Sequence, residues 1–586
     1  MRKSTRILLA LLPLLAAMTA PLAAQKVDVV EKRLSNGMGL LIVRREGEAT
    51  VAGGWVAHVG SSNERPGITG ISHLFEHMMF KGTPTIGTKD YKQDLAIISE
   101  QEKVRDDIRQ EEAKMRAAYR RGTIDDVAKP ENKTPRLREL EKKFDELIAK
   151  QRQILVKNEF DRIYTTAGGS GMNAFTNEDM TGYFITVPSN KVELWMWMES
   201  ERLLHPVFRE FYAERDVVFE ERRLRTEATP LGKYEETFES IFWESHPYNW
   251  PVVGWPSDIP AITKAQADAY YSTYYAPQNI TLVLVGNLDP DEATATAERY
   301  FGRIPRGKNP VPDVVTLEVP QQAEKRLNAE AEANPQVDIL WHTVPFGHAD
   351  SYPLQVLAQL LSTRTGRLYK GLVLGSQVAT DAFARQESRK WAGLFNAGGE
   401  AKEGRRPEEV EQAIYGEIAK LQKEDVPAEE LEKVKNNFAA AEYRRLSSNF
   451  PILLQLIQND GRGDWREVNE AGTKVQAVTA ADVKRVASRY LTKENRAVAT
   501  YTRKAGATGP EDPDLAGLDD RGKQMVRQLS QRLQTVDDPE RLRQMLAQME
   551  SQPAGAPPEM KPALDVIRKK IQARIDELEK AKGKKG

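Results

Sequence analysis

The alternation of apolar and polar positions changes period along this chain, and each change marks an element. In residues 27–43 (VDVVEKRLSNGMGLLIV) two strand-like runs flank an Asn36-Gly37 turn, and residues 51–60 (VAGGWVAHVG) carry a third run. Apolar spacing turns helical over 71–80 (ISHLFEHMMF), behind a glycine-rich entry that includes Thr69. Strand character returns at 182–187 (GYFITV) and 281–286 (TLVLVG), with helices predicted over 192–204, 210–228, 265–275 and 291–302. Residues 90–162 differ in character. Two long charged helices, 102–121 and 135–162, are separated by the turn PENKTP at 130–135, which predicts a helical hairpin inserted into a domain and projecting from it, outside its core.

A proline- and glycine-bearing linker (PRGKNPVP, 305–312) precedes a second stretch written in the same style. It has an apolar run at 337–346 (VDILWHTVPF), helices around 351–372, 408–422, 428–445 and 483–491, and a closing strand at 497–504. This order predicts a duplicated α+β architecture with units at 26–304 and 317–503, joined by a linker at 305–316. A flexible-looking spacer at 504–522 leads to a helical extension, 523–586, with two polar helices near 525–549 and 561–580 whose modest apolar faces are expected to dock on the body or on a partner.

Composition narrows the class. A chain of 586 residues is too long for one hydrophobic core. With 40% hydrophobic, 29% charged and 8% aromatic residues, it is neither a membrane bundle nor a collagen-like fibre nor disordered throughout. A formal net charge of -1 offers no electrostatic case for a nucleic-acid partner. There is no cysteine, so disulfides, thiolate ligands and thiol nucleophiles are excluded, and any metal must be held by nitrogen and oxygen. Arg2, Lys3 and Arg6 precede a short apolar run at 7–15 and small residues up to Ala24, the pattern of an export signal over 1–24. That run is too short for a comfortable bilayer span, so no stable membrane span is expected. The expected location is a bacterial periplasm, with an extracellular one as the alternative.

The chemistry concentrates at His73-Leu74-Phe75-Glu76-His77. Residues four apart on a helix share a face, so His73 and His77 can grip one metal, with Glu76 beside them to work on a water held there. The chain has only 7 histidines, and two of them meet here with a glutamate between. Neutral imidazoles suit zinc, which activates water and still wants a third protein ligand. Glu214, Glu220 and Glu221 on the predicted helix 210–228 are candidates. Glu214 and Glu221 lie two turns apart on one face, but spacing does not choose among the three.

From these residues the chain resembles the pitrilysin/insulinase peptidases of family M16, zinc enzymes with an inverted HxxEH motif. The likeness covers about 26–503 and extends through 54–83 (GWVAHVGSSNERPGITGISHLFEHMMFKGT) and 168–183 (GGSGMNAFTNEDMTGY). Ser170 departs from it, standing where the family has glycine, with Gly171 just after. The resemblance implies two homologous mixed α/β sandwich domains, with one Zn2+ per chain on His73, His77 and Glu221. It implies Glu76 as the base, with Glu214 as the supporting carboxylate of the catalytic set, and substrate peptides beside the strand of Asn173 and Ala174. The activity implied is zinc-dependent endopeptidase; the alternative is a non-catalytic structural or metal-binding subunit of a periplasmic complex. Two departures stand out. The interval from His77 to Glu221 is stretched by the hairpin, at small entropic cost if its ends stay close. The Arg/Tyr pair that the family uses on substrate is missing, Val373 and Ala379 standing at its places. The expected partner is therefore a zinc-less homologue that carries the pair, with a homodimer as the alternative.

Overall fold

The computed structural model describes residues 26–127, 129–308, 310–504, 515, 518, 520–534, 536, 538–551 and 561–583. The expected export signal at 1–24 and most of the spacer lie outside the described residues. The chain forms two compact units, 1–502 and 503–586. No helix among the described residues is long and apolar enough to cross a membrane.

Two sheets organise the larger unit. The first contains β1 (Val30–Arg33), β2 (Gly39–Arg44), β3 (Thr50–Ala57), β4 (Ser170–Thr176), β5 (Thr181–Pro188) and β6 (Ile280–Gly286), in the order β1-β2-β6-β3-β5-β4. The second contains β7 (Lys325–Ala331), β8 (Gln336–Thr343), β9 (Ala379–Ser388), β10 (Gly393–Ala401) and β11 (Arg496–Arg503), in the order β7-β11-β8-β10-β9. With β1 set aside, the two orders coincide strand for strand. The duplication that is faint in sequence is therefore explicit in topology, and the fold is α+β as expected. The β1–β2 hairpin turns where Gly37 takes φ +92, and the Asn36 side chain donates to the carbonyls of Phe301 and Ile304.

Among the helices of this unit are α1 (Ile71–Met78), α2 (Tyr91–Arg120), α3 (Pro135–Ile154), α4 (Phe211–Arg222), α5 (Gly232–Phe242), α6 (Ser351–Leu361) and α7 (Asn449–Arg462). α2 and α3 form the predicted hairpin. Asp90 caps α2 by accepting from Gln93 N (2.9 Å), and Thr134 caps α3 by accepting from Leu137 N (3.0 Å) ahead of Pro135. The ends are clasped: Lys89 N donates to Ile154 O (2.8 Å) and Val156 N to Gly87 O (3.1 Å). One expectation is corrected. The hairpin is not outside the core, because Ile97, Val104, Ile108 and Met115 of α2 and Leu137, Leu140, Phe144 and Leu147 of α3 form a buried stripe continuous with the core of the first sheet.

The two halves exchange helices. α7, from the second half, covers the face of the first sheet opposite α1, with Ile452, Leu453, Leu456 and Ile457 against Val43, Ala52, Val56 and Val283. α5, from the first half, covers the second sheet, with Phe238 and Phe242 against Leu340, Leu394, Ala497 and Tyr501. Asp179 ties the same boundary together, accepting from Tyr248 OH (2.6 Å) and Lys390 N (2.9 Å). A linker at 305–316 thus falls between the sheets without separating their cores. The smaller unit also differs from expectation. Pro539 starts a new helix inside the single one predicted over 525–549, giving Asp520–Gln534, Pro539–Ser551 and Lys561–Gly583. Their apolar faces close on one another, through Val526, Leu533, Leu542, Ile567, Ile571 and Ile575.

Because α7 completes the first sheet from the second half, Leu456→Ala, at a position with no exposed surface, is expected to cost about 2–5 kcal/mol. It should move one common transition of both sheets in calorimetry. A split scan, in which only part of the unit melts early, would contradict the exchange.

Candidate metal centre and its cavity

α1 starts at Gly70 (φ +90), a conformation suited to glycine, and a Cβ there would meet Val253 O at 2.4 Å. Its first amides are held by a buried carboxylate: Glu64 accepts from Gly70 N and Ser72 N, both at 2.8 Å. Burial pushes the Glu64 carboxyl up to about 8, against the pull of those amides. Leu74, Phe75 and Met78 face the core, which leaves His73, Glu76 and His77 on the other side of the helix.

That side meets α4. His73 Nε2 lies 3.8 Å from one Glu221 oxygen and His77 Nε2 lies 3.4 Å from the other. Ligand atoms of His73, His77 and Glu221 all lie within 4.8 Å of one another. Behind them His77 Nδ1 is 3.0 Å from Glu214, whose other oxygen meets Lys81 Nζ at 2.5 Å. Glu220, open as an alternative from sequence spacing, pairs with Arg223 (2.8 Å) on the exposed side of α4. Arg225, in the π-helical turn Arg223–Glu227, lies 2.7 Å from Glu221.

Electrostatics follow from this packing. Burial and the neighbouring His77 lower His73 to about 4. Burial would lower His77 too, but the Glu214 and Glu221 carboxylates outweigh it and raise it to about 9. Burial lifts Glu76 above the usual carboxyl range, against the Thr176 hydroxyl and His77. Glu214 stays below its ordinary value despite burial, held there by His77 and Lys81. Two imidazole nitrogens and one carboxylate, gathered on one spot with a second carboxylate behind an imidazole, form a donor set that fits zinc.

The cluster lines a cavity of about 980 Å³. One wall is β4, the edge strand of the first sheet, presenting Asn173, Ala174, Phe175 and Thr176. Asn173 Oδ1 accepts from the adjacent Ala174 N (2.9 Å). The departure at Ser170 has a structural counterpart: the β4–β5 register shifts between Ser170 and Asn173, and Gly171 takes φ +67. Another wall is the base of the hairpin, Leu155–Phe160; shielding of the cleft was one role the sequence left open for this insertion, without naming these residues. Lys81, Arg225 and Glu64 were also missed. None belongs to the metal motif, and only the fold brings them to it. Val373 and Ala379, the places of the absent Arg/Tyr pair, pack into the core of the second sheet, away from this cavity's lining.

An α+β fold with a duplicated sheet, and a histidine–carboxylate cluster beside one edge strand, is the class these observations define. Two models of peptidase family M16 match parts of this chain. The family described as "Insulinase (Peptidase family M16)" matches residues 40–104, and "Peptidase M16 inactive domain" matches 261–438. The first span contains α1 with its histidines. The second contains α6, whose facing positions are Leu354, Leu357, Leu360 and Leu361. A Helicobacter pylori protein named "Zinc protease PqqE" is 28% identical over 360 residues, 59% of this chain and 80% of its own. A crystal structure of a protease from Helicobacter pylori superposes with a TM-score of 0.67 at 21% identity, over 81% of this chain and 100% of that one. The periplasmic protease PqqL from Escherichia coli superposes at 0.60 with 17% identity, over 83% of this chain and 49% of that one.

Glu64→Ala is expected to lower stability by about 2–3 kcal/mol, since it strips two buried amides of their acceptor. Glu64→Gln, which keeps one acceptor, should lose less. Equal thermal midpoints for wild type and Glu64→Ala would refute the capping role.

Proposed function

We propose that this chain is a zinc-dependent endopeptidase acting on peptides and unfolded protein segments. The observation that carries the reading is the convergence of His73, His77 and Glu221 within 4.8 Å, beside Glu76 and an open edge strand. His73, His77 and Glu221 would hold one Zn2+ per chain, and zinc when bound supplies Lewis acidity toward a water and a peptide carbonyl. Glu76 takes a proton from the attacking water and returns it to the departing amine. Glu214 fixes the ring of His77 through Nδ1, and Lys81 in turn fixes Glu214. A substrate in extended form pairs with the free edge of β4, where main-chain hydrogen bonds read shape with little regard to side chains. Asn173 and Ala174 lie on that edge, and a compact domain cannot offer such a strand.

The expected setting is the periplasm, supported by the signal-like start of the sequence and by the periplasmic protein PqqL among the structural neighbours. The expected partner is a zinc-less homologue supplying the missing Arg/Tyr pair, with a homodimer as the alternative. A second reading, a non-catalytic subunit, draws on the description "Peptidase M16 inactive domain". That description falls on 261–438, however, outside α1 and α4, and the residues of the zinc motif are intact.

Glu76→Gln should retain zinc while abolishing cleavage of an unstructured peptide, a loss of about 100-fold or more. Equal background hydrolysis by both proteins would refute the enzyme. Removing metal with a chelator should abolish cleavage, and zinc should restore it for wild type while Glu221→Ala stays metal-poor. Assays with and without the homologue separate the partners, since activity that appears only in the mixture supports the heterodimer.

A further inference from the structure

Resting on the reading that His73, His77 and Glu221 hold zinc, we propose that the buried Asp94–Arg209 pair is a positioning device. It sets the spacing of α1 and α4 and thereby the affinity of the metal site. Arg209 stands just before α4, separated from it by Glu210, which holds a left-handed φ of +53. Its Nε meets Asp94 of α2 at 2.5 Å. Its Nη1 donates to Ile86 O (2.9 Å) and Lys81 O (3.1 Å), and its Nη2 to Thr83 O (2.5 Å). Lys81, Thr83 and Ile86 form the turn that leaves α1, beginning four residues after His77. One guanidinium therefore joins the exit of the histidine helix, the entry of the glutamate helix and the inserted hairpin.

The turn is built around that group. Gly82 and Gly87 take φ +97 and +96, and a Cβ on either would come within 3.0–3.1 Å of Arg209 Nη1. Asp94 is also fixed on its other side, accepting from Gln151 Nε2 of α3 (2.8 Å), while Gln151 accepts from Gln101 (3.1 Å). The arginine side chain is 1% exposed and the aspartate 0%. A second brace acts one turn further along: Tyr212 of α4 donates to Glu102 of α2 (3.0 Å) and meets Phe144 of α3 edge-on at 5.5 Å. Burying an ion pair adds little net stability over apolar side chains of similar volume, but its directional bonds fix a register that apolar packing does not. The hairpin is thus a scaffold for the ligand helices, which gives a role to an insertion that carries no chemistry of its own.

The test compares zinc affinity, by competition with a chromophoric chelator, and the Co2+ absorption spectrum in the full chain and in Asp94→Leu/Arg209→Met. The expected result is zinc binding about tenfold weaker or worse, with an altered Co2+ spectrum, in a protein that melts lower than wild type because three carbonyls and Gln151 lose their partners, yet is folded at the assay temperature. Affinity within about twofold of wild type in the folded double variant would overturn the proposal. If that variant does not fold, Asp94→Asn removes the charge of the pair while keeping the side chain's size and an oxygen for Gln151. It should weaken zinc in the same direction, and unchanged affinity would overturn the proposal too. Wild-type protein that takes up no zinc overturns the site reading itself, whereas equal uptake by wild type and variant overturns only the positioning role.

Discussion

Two helices more than a hundred residues apart in sequence must approach until donor atoms from both lie within 4.8 Å, and the rest of the larger unit is arranged around that approach. The histidines repel one another when charged and lose hydration when buried, while the carboxylates of Glu214 and Glu221 draw them back. Such a cluster is costly without either its ion or a rigid frame. The frame is visible in the core behind α1, in the cap that Glu64 places on its first turn, and in the hairpin braced against α4.

Duplication explains how one fold carries both a polar site and a support. The two sheets share a strand order, yet the helix after the second strand of the common set is α1 in one half and the leucine-lined α6 in the other. Among the described residues the second half lacks the histidine–carboxylate cluster, and it supplies a helix, α7, that covers the open face of the first sheet. α5 repays the second sheet in the same way. Neither sheet has its full core without the other half, so the larger unit behaves as one body although its topology is two.

What was legible in the sequence follows the range of the interactions concerned. The His73–His77 pair is a local, four-residue relation on a helix, and it reads directly from spacing. The third carboxylate is not local: Glu214, Glu220 and Glu221 are equally polar, and only the rotation of α4 against α1 turns Glu220 toward Arg223 and solvent. The duplicated α+β plan was legible because strand and helix periods alternate in the same order twice. The turn of the hairpin was legible, but its first helix starts earlier, at Tyr91, its second ends at Ile154 ahead of a separate helix at Glu159–Thr166, and its burial was misjudged. High charge density hid the stripe Ile97, Val104, Ile108 and Met115, whose intervals of seven, four and seven are those of one helical face. The helix exchange had no local signal at all, since an amphipathic pattern says that a helix is covered and not which sheet covers it.

The same distinction explains why a long insertion is tolerated between the histidine pair and Glu221, which meet in one cluster. Chain length alone adds little to the cost of closing a loop, provided its ends are already held together. Here they are clasped by Lys89–Ile154 and Gly87–Val156, and the first residues beyond the clasp become a wall of the cavity. An insertion hinged by a free loop would leave the two ligand helices independent. One whose base is pinned at Gly87, and whose flank packs against Tyr212, makes them a single rigid part. The stretch that most disguises the family spacing in the sequence is thus the stretch that, in space, draws the site together.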